Sequence, residues 1–146
     1  MMTLFLVHHA DAVSPAVDAQ RPLSPEGRAH AEAIARRVAA RGAAPEVVWH
    51  SGKLRARQTA DAFWRACNPL ADFAAVNGLQ PDDPPERIRS VIEGDGRRLM
   101  LVSHMPLLPR LLSLLTSGSS TEFPPHGVVA LELGESGWRE LWREAG

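Results

Sequence analysis

Residues 4–11 read Leu4-Phe5-Leu6-Val7-His8-His9-Ala10-Asp11, and this stretch decides the fold. Four consecutive apolar residues without helical periodicity predict a strand buried on both faces, which is the habit of parallel sheets. The run stops at two histidines. The small and turn-forming residues from Ala10 to Arg21 follow, and Leu23-Ser24-Pro25-Glu26 supplies a staple residue, an N-cap and a proline at the first helical position. The helix that starts there has Ala31, Ile34, Ala35, Val38 and Ala39 at three- and four-residue spacing, with Gly42 placed for a left-handed cap.

The same unit recurs downstream. Val47 to Trp49 reads as a strand ending at His50-Ser51-Gly52, followed by a helix from about Lys53 to Ala66 with Ala56, Ala60, Phe63 and Cys67 inward. Phe73 to Val76 is an edge-strand candidate, and the Asn77–Pro85 loop precedes a short helix over Glu86 to Ile92. Leu99 to Val102 ends at Ser103-His104, and Pro106 opens a Leu-rich helix. Gly127 to Leu133 and Trp138 to Trp142 alternate around Gly134-Glu135-Ser136-Gly137, the pattern of an antiparallel hairpin. Strands alternating with helices predict an α/β fold, a three-layer αβα sandwich whose mainly parallel sheet carries a C-terminal antiparallel hairpin. Trp138 and Trp142 are expected to close that hairpin over the core.

Composition narrows the function. With 146 residues, one domain over 1–146 is expected. Sixteen basic and 17 acidic residues give a net charge of -1, which offers no case for nucleic acid or anionic lipid as partner. No apolar run is long enough for a membrane span. The single Cys67 excludes an internal disulfide, the start of the chain shows no leader pattern, and a cytoplasmic location is the expectation. Nothing in the sequence sets an oligomeric state.

Ligands of parallel sheets bind outside the carboxyl ends of the strands. Three such ends carry His8-His9, His50-Ser51 and Ser103-His104, so up to four of the six histidines are expected on one rim. Lys53, Arg55 and Arg57 open the helix after the second strand, where free amides favour an anion. Arg55 and Arg57 point about 200° apart, so only one can face the rim. Histidines around an anion suit nucleophilic attack on phosphorus, since a neutral imidazole is a competent nucleophile and cations bind phosphoryl oxygens. Zinc is the rival reading, with Asp11 as a spare carboxylate. It lacks any local His-x-x-x-His or His-x-His spacing, and Lys53 and Arg55 would repel a dication.

Four segments then carry a resemblance. Residues 4–12 resemble the opening strand of the histidine phosphatase superfamily (phosphoglycerate-mutase-like), which runs into Arg-His-Gly or Arg-His-Ala. Arg21-Pro22-Leu23-Ser24-Pro25-Glu26-Gly27 is similar to the family's Arg-x-Leu-Thr-x-x-Gly, Arg55-Ala56-Arg57-Gln58-Thr59-Ala60 to Arg-Ala-x-Gln-Thr-Ala, and Leu101-Val102-Ser103-His104-Met105-Pro106 to the strand with the second histidine. The length and Phe123-Pro124-Pro125-His126-Gly127 resemble the SixA-type phosphohistidine phosphatases. The resemblance implies that His9 is the phosphate-accepting nucleophile, that Arg55 grips phosphate oxygens and that His104 completes the pocket, in a metal-independent reaction with no cofactor. The implied substrate is a phosphorylated protein, through its phosphohistidine, or a small phosphoramidate or phosphomonoester.

Two positions depart from the pattern. His8 stands where the family has an arginine, and a histidine carries charge only when protonated. It is expected to be protonated by bound phosphate, giving a turnover peak below neutral pH. The alternative reading is a weakly active or non-catalytic phosphoryl-binding protein on the same fold. Met105 follows His104, leaving Asp83, or its neighbour Asp82, as the candidate general acid, against a plain role in the turn before Pro84-Pro85. His126 is a further candidate for the rim.

Overall fold

The computed structural model describes residues 2–146. The elements run β1 (Thr3–His8), α1 (Pro25–Ala40), β2 (Val47–His50), α2 (Leu54–Cys67), β3 (Asp72–Ala75), α3 (Pro85–Asp95), β4 (Leu99–Ser103), α4 (Leu107–Leu115), β5 (Val128–Gly134) and β6 (Gly137–Glu144). The six strands form one sheet in the order β3-β2-β4-β1-β5-β6. β3, β2, β4 and β1 are parallel, and β5 joins β1 antiparallel, with Val7 opposite Val128.

Alternation along the strands builds two cores. Leu4, Leu6, Leu99 and Leu101 face α3 and α4, while Phe5, Val7, Met100 and Val102 face α1 and α2. Both faces of the central strands are therefore apolar, which is why β1 and β4 read as continuous hydrophobic runs. Helix α1 begins as its sequence predicts: the Ser24 hydroxyl accepts from the Gly27 N–H (3.0 Å) and donates to the Asp11 carboxylate (2.7 Å). It ends with Gly42 at φ +87°, donating to Ala39, a position that favours glycine.

The hairpin departs from expectation. Trp138 is buried with α3 and α4, but Trp142 packs on the opposite face, 6.1 Å from the Phe5 ring. A bulge between Ala130 and Leu131 shifts the pairing, so Trp142 faces Ala130 whereas Glu140 faces Leu131. One extra residue reverses which face the following side chains meet. Arg41 covers the exposed side of Trp142, 4.6 Å from its ring.

Candidate active site

The end of β1 is clamped from both sides. The His8 N–H donates to Gly127 and the His9 N–H to Ser103, so the two histidines leave the sheet between β5 and β4. The loop after them is held by α2: the Ala10 N–H donates to Thr59 Oγ1 (3.1 Å) and the Leu23 N–H to Gln58 Oε1 (2.8 Å). Ala56 and Ala60 are fully buried beneath. The residues 55–60 thus form a bracket that fixes the loop after His9 and aims Arg55 at the rim. Arg57, by contrast, is exposed, and its charge adds to burial in lowering the His50 pKa.

The tautomer of His9 is fixed by its neighbour. Its Nδ1 lies 2.7 Å from the Ala10 carbonyl, which can only accept, so Nδ1 carries the proton and Nε2 keeps its lone pair. Nε2 has no protein partner and is open to solvent. Burial, opposed by the Ala10 hydrogen bond and joined by the Arg55 charge, brings the His9 pKa down to about 4, so the ring is neutral near pH 7.

His104 stands beside it, with ring centroids 5.0 Å apart and only 1% of its surface exposed. Its Nε2 is 2.7 Å from Ser51 Oγ, which also accepts from the Lys53 N–H. Every group of that chain is used when Ser51 donates to Nε2, leaving the proton of His104 on Nδ1. That Nδ1 is buried and unpartnered, and so is Arg55 Nε. Two orphaned donors at one pocket are what an oxyanion would satisfy. Burial, and then the neighbouring His9 and Arg55, push the His104 pKa down to about 3. Arg55 forms no ion pair among the described residues, and burial followed by the Arg21 charge lowers its own pKa. Arg21 is tied through Nε to the Val13 carbonyl (3.0 Å) and its charge also acts on His9. The sequence had placed Arg21 in a motif without giving it a task.

His8 corrects the sequence expectation of a protonated arginine substitute. Its Nδ1 accepts the His126 N–H at 2.7 Å, so in this structure Nδ1 bears no proton and the ring is neutral. Burial, and then the His9, His126 and Arg55 charges, push its pKa down to about 3. The fourth ring of the cluster is His126 rather than His50. His126 stacks on His8 with centroids 4.8 Å apart and planes 6° apart, and its Nδ1 donates to the His9 carbonyl (2.7 Å). His50 instead accepts from the Gly52 N–H and lies against Phe73. Because β5 is antiparallel, its first residues meet the last residues of β1, so the segment before β5 reaches the same rim.

Asp83 accepts from the Gln80 N–H (2.9 Å) in the turn ahead of α3 and makes no hydrogen bond to a pocket residue. Gln80 Nε2 donates to the Ser51 carbonyl, so this short loop braces β2. Cys67 is a packing residue whose thiol pKa burial raises to about 11. Among the described residues, no three His, Cys, Asp or Glu side chains are disposed to hold a metal ion, and no helix is long and apolar enough to cross a membrane.

The model of the histidine phosphatase superfamily (branch 1) matches residues 7–80. Among solved structures, the protein assigned as phosphohistidine phosphatase SixA from Agrobacterium tumefaciens superposes with a TM-score of 0.84 at 27% identity, over 99% of this chain and 98% of that one. A protein histidine phosphatase SixA complexed with tungstate gives 0.87 at 23% identity, over 99% and 97%. Phosphoserine phosphatase from Entamoeba histolytica, in complex with 3-phosphoglyceric acid, gives 0.75 at 12%, over 100% and 98%. The last two similarities concern the fold, which is phosphoglycerate-mutase-like. No curated protein sequence matches the chain. The family model spans half of the chain, from the end of β1 to the loop beyond β3, and on that ground the chain belongs to the histidine phosphatase superfamily, branch 1, and is of the phosphatase class.

Proposed function

We propose that residues 1–146 act as one domain that hydrolyses protein phosphohistidine, or a small phosphoramidate, through a phosphohistidine at His9. The observation that carries this reading is the lone pair on His9 Nε2, fixed by the Nδ1 hydrogen bond to Ala10, beside two buried donors with no partner, Arg55 Nε and His104 Nδ1. In the first step His9 Nε2 attacks phosphorus and the bond to the leaving nitrogen breaks. The leaving group takes the electron pair and, with water, a proton. In the second step water attacks the phosphoryl group, the bond to His9 breaks, and inorganic phosphate departs with the water oxygen. Arg55 and His104 hold the equatorial oxygens throughout, and His8 offers its Nε2 side to the same group. No metal or cofactor enters the scheme.

The substrate class follows from the missing acid. An alkyl phosphate must expel an alkoxide and benefits strongly from a positioned general acid, whereas an imidazole leaving group has a conjugate acid of pKa about 6.5 and is protonated from water. Met105 follows His104 and the Asp83 carboxylate accepts from the Gln80 N–H, so neither the residue after His104 nor Asp83 is held ready for that task. A binding protein without turnover is the competing reading, favoured by the neutral His8. Turnover of phosphoramidate and of a phosphohistidine peptide decides between them: hydrolysis is expected, lost in His9→Ala, with acid-labile phosphate trapped on His9 by alkaline quench. Full activity in His9→Ala would overturn the mechanism, and absence of any turnover would favour the binding protein. Faster hydrolysis of sugar phosphates than of phosphohistidine peptides would overturn the substrate class.

A further inference from the structure

The loop before β5 is built with unusual care for a connection. The Gly127 N–H donates to the Pro124 carbonyl (3.0 Å), closing a turn over Pro124-Pro125-His126-Gly127. His126 sits in it at φ +55°, a conformation that most L side chains avoid. A proline followed by a left-handed residue is the pattern that type II turns use, with glycine or asparagine as the usual second member. A Cβ on Gly127 would lie 2.5 Å from the Glu144 carbonyl oxygen and 2.8 Å from Pro124 Cβ, so only glycine fits behind His126 without displacing the end of β6 or Pro124. A histidine held in a glycine-like conformation is strain that needs a return.

The return is visible in what His126 touches. Its N–H enters His8 Nδ1 and its ring Nδ1–H enters the His9 carbonyl, both at 2.7 Å, while its ring lies flat on His8. The first bond leaves His8 only one place for its proton, Nε2. The Nε2 atoms of His8, His9 and His126 lack protein partners and are all open to solvent. The groups that act on His8 are His9 next to it in the chain, His104 after β4, His126 from the turn before β5 and Arg55 from α2. None is an acid, so nothing among them favours a second proton on His8.

We propose that His126 is a positioning residue that fixes His8 as a neutral Nε2–H donor to a phosphoryl oxygen, the stacked pair occupying the place where the family carries an arginine. The inference rests on the phosphoryl pocket proposed above but not on turnover. It replaces a charged fork by one directed neutral hydrogen bond, whose strength does not change with pH around neutrality. It also gives the strained turn a function, because relaxing residue 126 would free His8 to change tautomer and turn away.

Binding of inorganic phosphate tests this independently of catalysis, by calorimetry at pH 7 and 8.5 together with 15N NMR of the histidine side chains. In the wild-type protein, free and phosphate-bound, His8 is expected to show one protonated nitrogen, Nε2, at both pH values. His126→Ala keeps the backbone N–H but removes the stack and the bond to His9 that hold residue 126 at positive φ, so the turn should relax, phosphate binding should weaken about tenfold, the worth of one neutral hydrogen bond, and the His8 signals should average between tautomers. His126→Asn tolerates the left-handed backbone and can donate to the same carbonyl, and should bind within about threefold of wild type. Should His126→Ala not fold, His8→Gln, a neutral donor, is expected to keep binding within about threefold while His8→Ala loses about tenfold. A doubly protonated His8 in the phosphate-bound protein would overturn the proposal. So would unchanged binding and an unchanged His8 tautomer in His126→Ala, or equal binding by His8→Gln and His8→Ala. Retained turnover in His9→Ala would overturn the reaction scheme and leave these results standing.

Discussion

His8 and His9 are adjacent and chemically identical, yet the backbone gives them opposite tautomers. A carbonyl at His9 Nδ1 places the lone pair on Nε2, and an amide N–H at His8 Nδ1 places the proton there. One ring therefore presents a lone pair and the other a donor, although neither takes up charge near neutral pH. Positive charge at the pocket comes mainly from Arg55, with Arg21 behind it. Arg55→Ala is expected to lower kcat/KM for phosphoramidate by about a hundredfold, corresponding to roughly 3 kcal/mol for a charge-assisted contact in a desolvated site. A loss smaller than threefold would remove Arg55 from the phosphoryl pocket.

At the scale of elements, the loop after His9 is held by packing as close as the core. Gly27, in the first turn of α1, approaches the Asp11 backbone so tightly that a Cβ would stand 2.0 Å from the Asp11 carbonyl oxygen. That contact explains why a glycine ends the Arg21–Gly27 motif. Gly27→Ala must push α1 away from the loop that follows His9, and should cost about 2–4 kcal/mol in a urea titration and reduce kcat as well. A variant as stable as wild type would show that the helix can move freely. Much of this was legible: Ser24-Pro25, the apolar runs of β1 and β4 and the Leu107–Leu115 helix announce themselves by local chemistry and period. The hairpin bulge was not, because a one-residue slip leaves no mark on composition. His126 is hard to place from sequence for a different reason. Looking only at carboxyl ends is right for parallel strands, but β5 runs the other way, so its amino end shares the rim with the end of β1. His50 ends a parallel strand yet stays off the cluster, because a strand end says nothing about which side of the sheet the ring takes. Asp83 shows the ordinary fate of an aspartate before a proline, a turn in which its carboxylate is already engaged.

For the molecule as a whole, gathering neutral histidines has a consequence for stability. His8, His9 and His104 have folded-state pKa values of about 3, 4 and 3, chiefly through burial, against 6.5 for the free side chain. Below about pH 6.5 the unfolded chain binds these protons and the folded one does not, so stability falls as the pH falls. Each ring contributes about 1.4 kcal/mol per pH unit between pH 6 and 5, above the range where lowered carboxylates such as Glu140 and Glu144 begin to matter. Urea titrations at pH 7.5, 6 and 5 should show this decline, and replacing His104 by Gln should flatten it. A flat profile in the wild-type protein would mean that the rings are charged in the folded state.

The antiparallel hairpin that delivers His126 also decides where the last residues run. Glu144 pairs with Val128, and Gly146 packs against the carbonyls of Pro125 and His126, while Thr3 lies opposite Glu132 toward the other end of β5. The two ends of the described chain thus leave from opposite ends of the strands, separated by about 17 Å along β1 alone. A fluorophore attached at Gly146 would sit behind the turn and report on ligand entry, whereas one attached at Thr3 would be blind to it. By the same geometry, a bulky fusion after Gly146 would lever on the His126 turn, so an immobilised enzyme should be tethered through the Thr3 end.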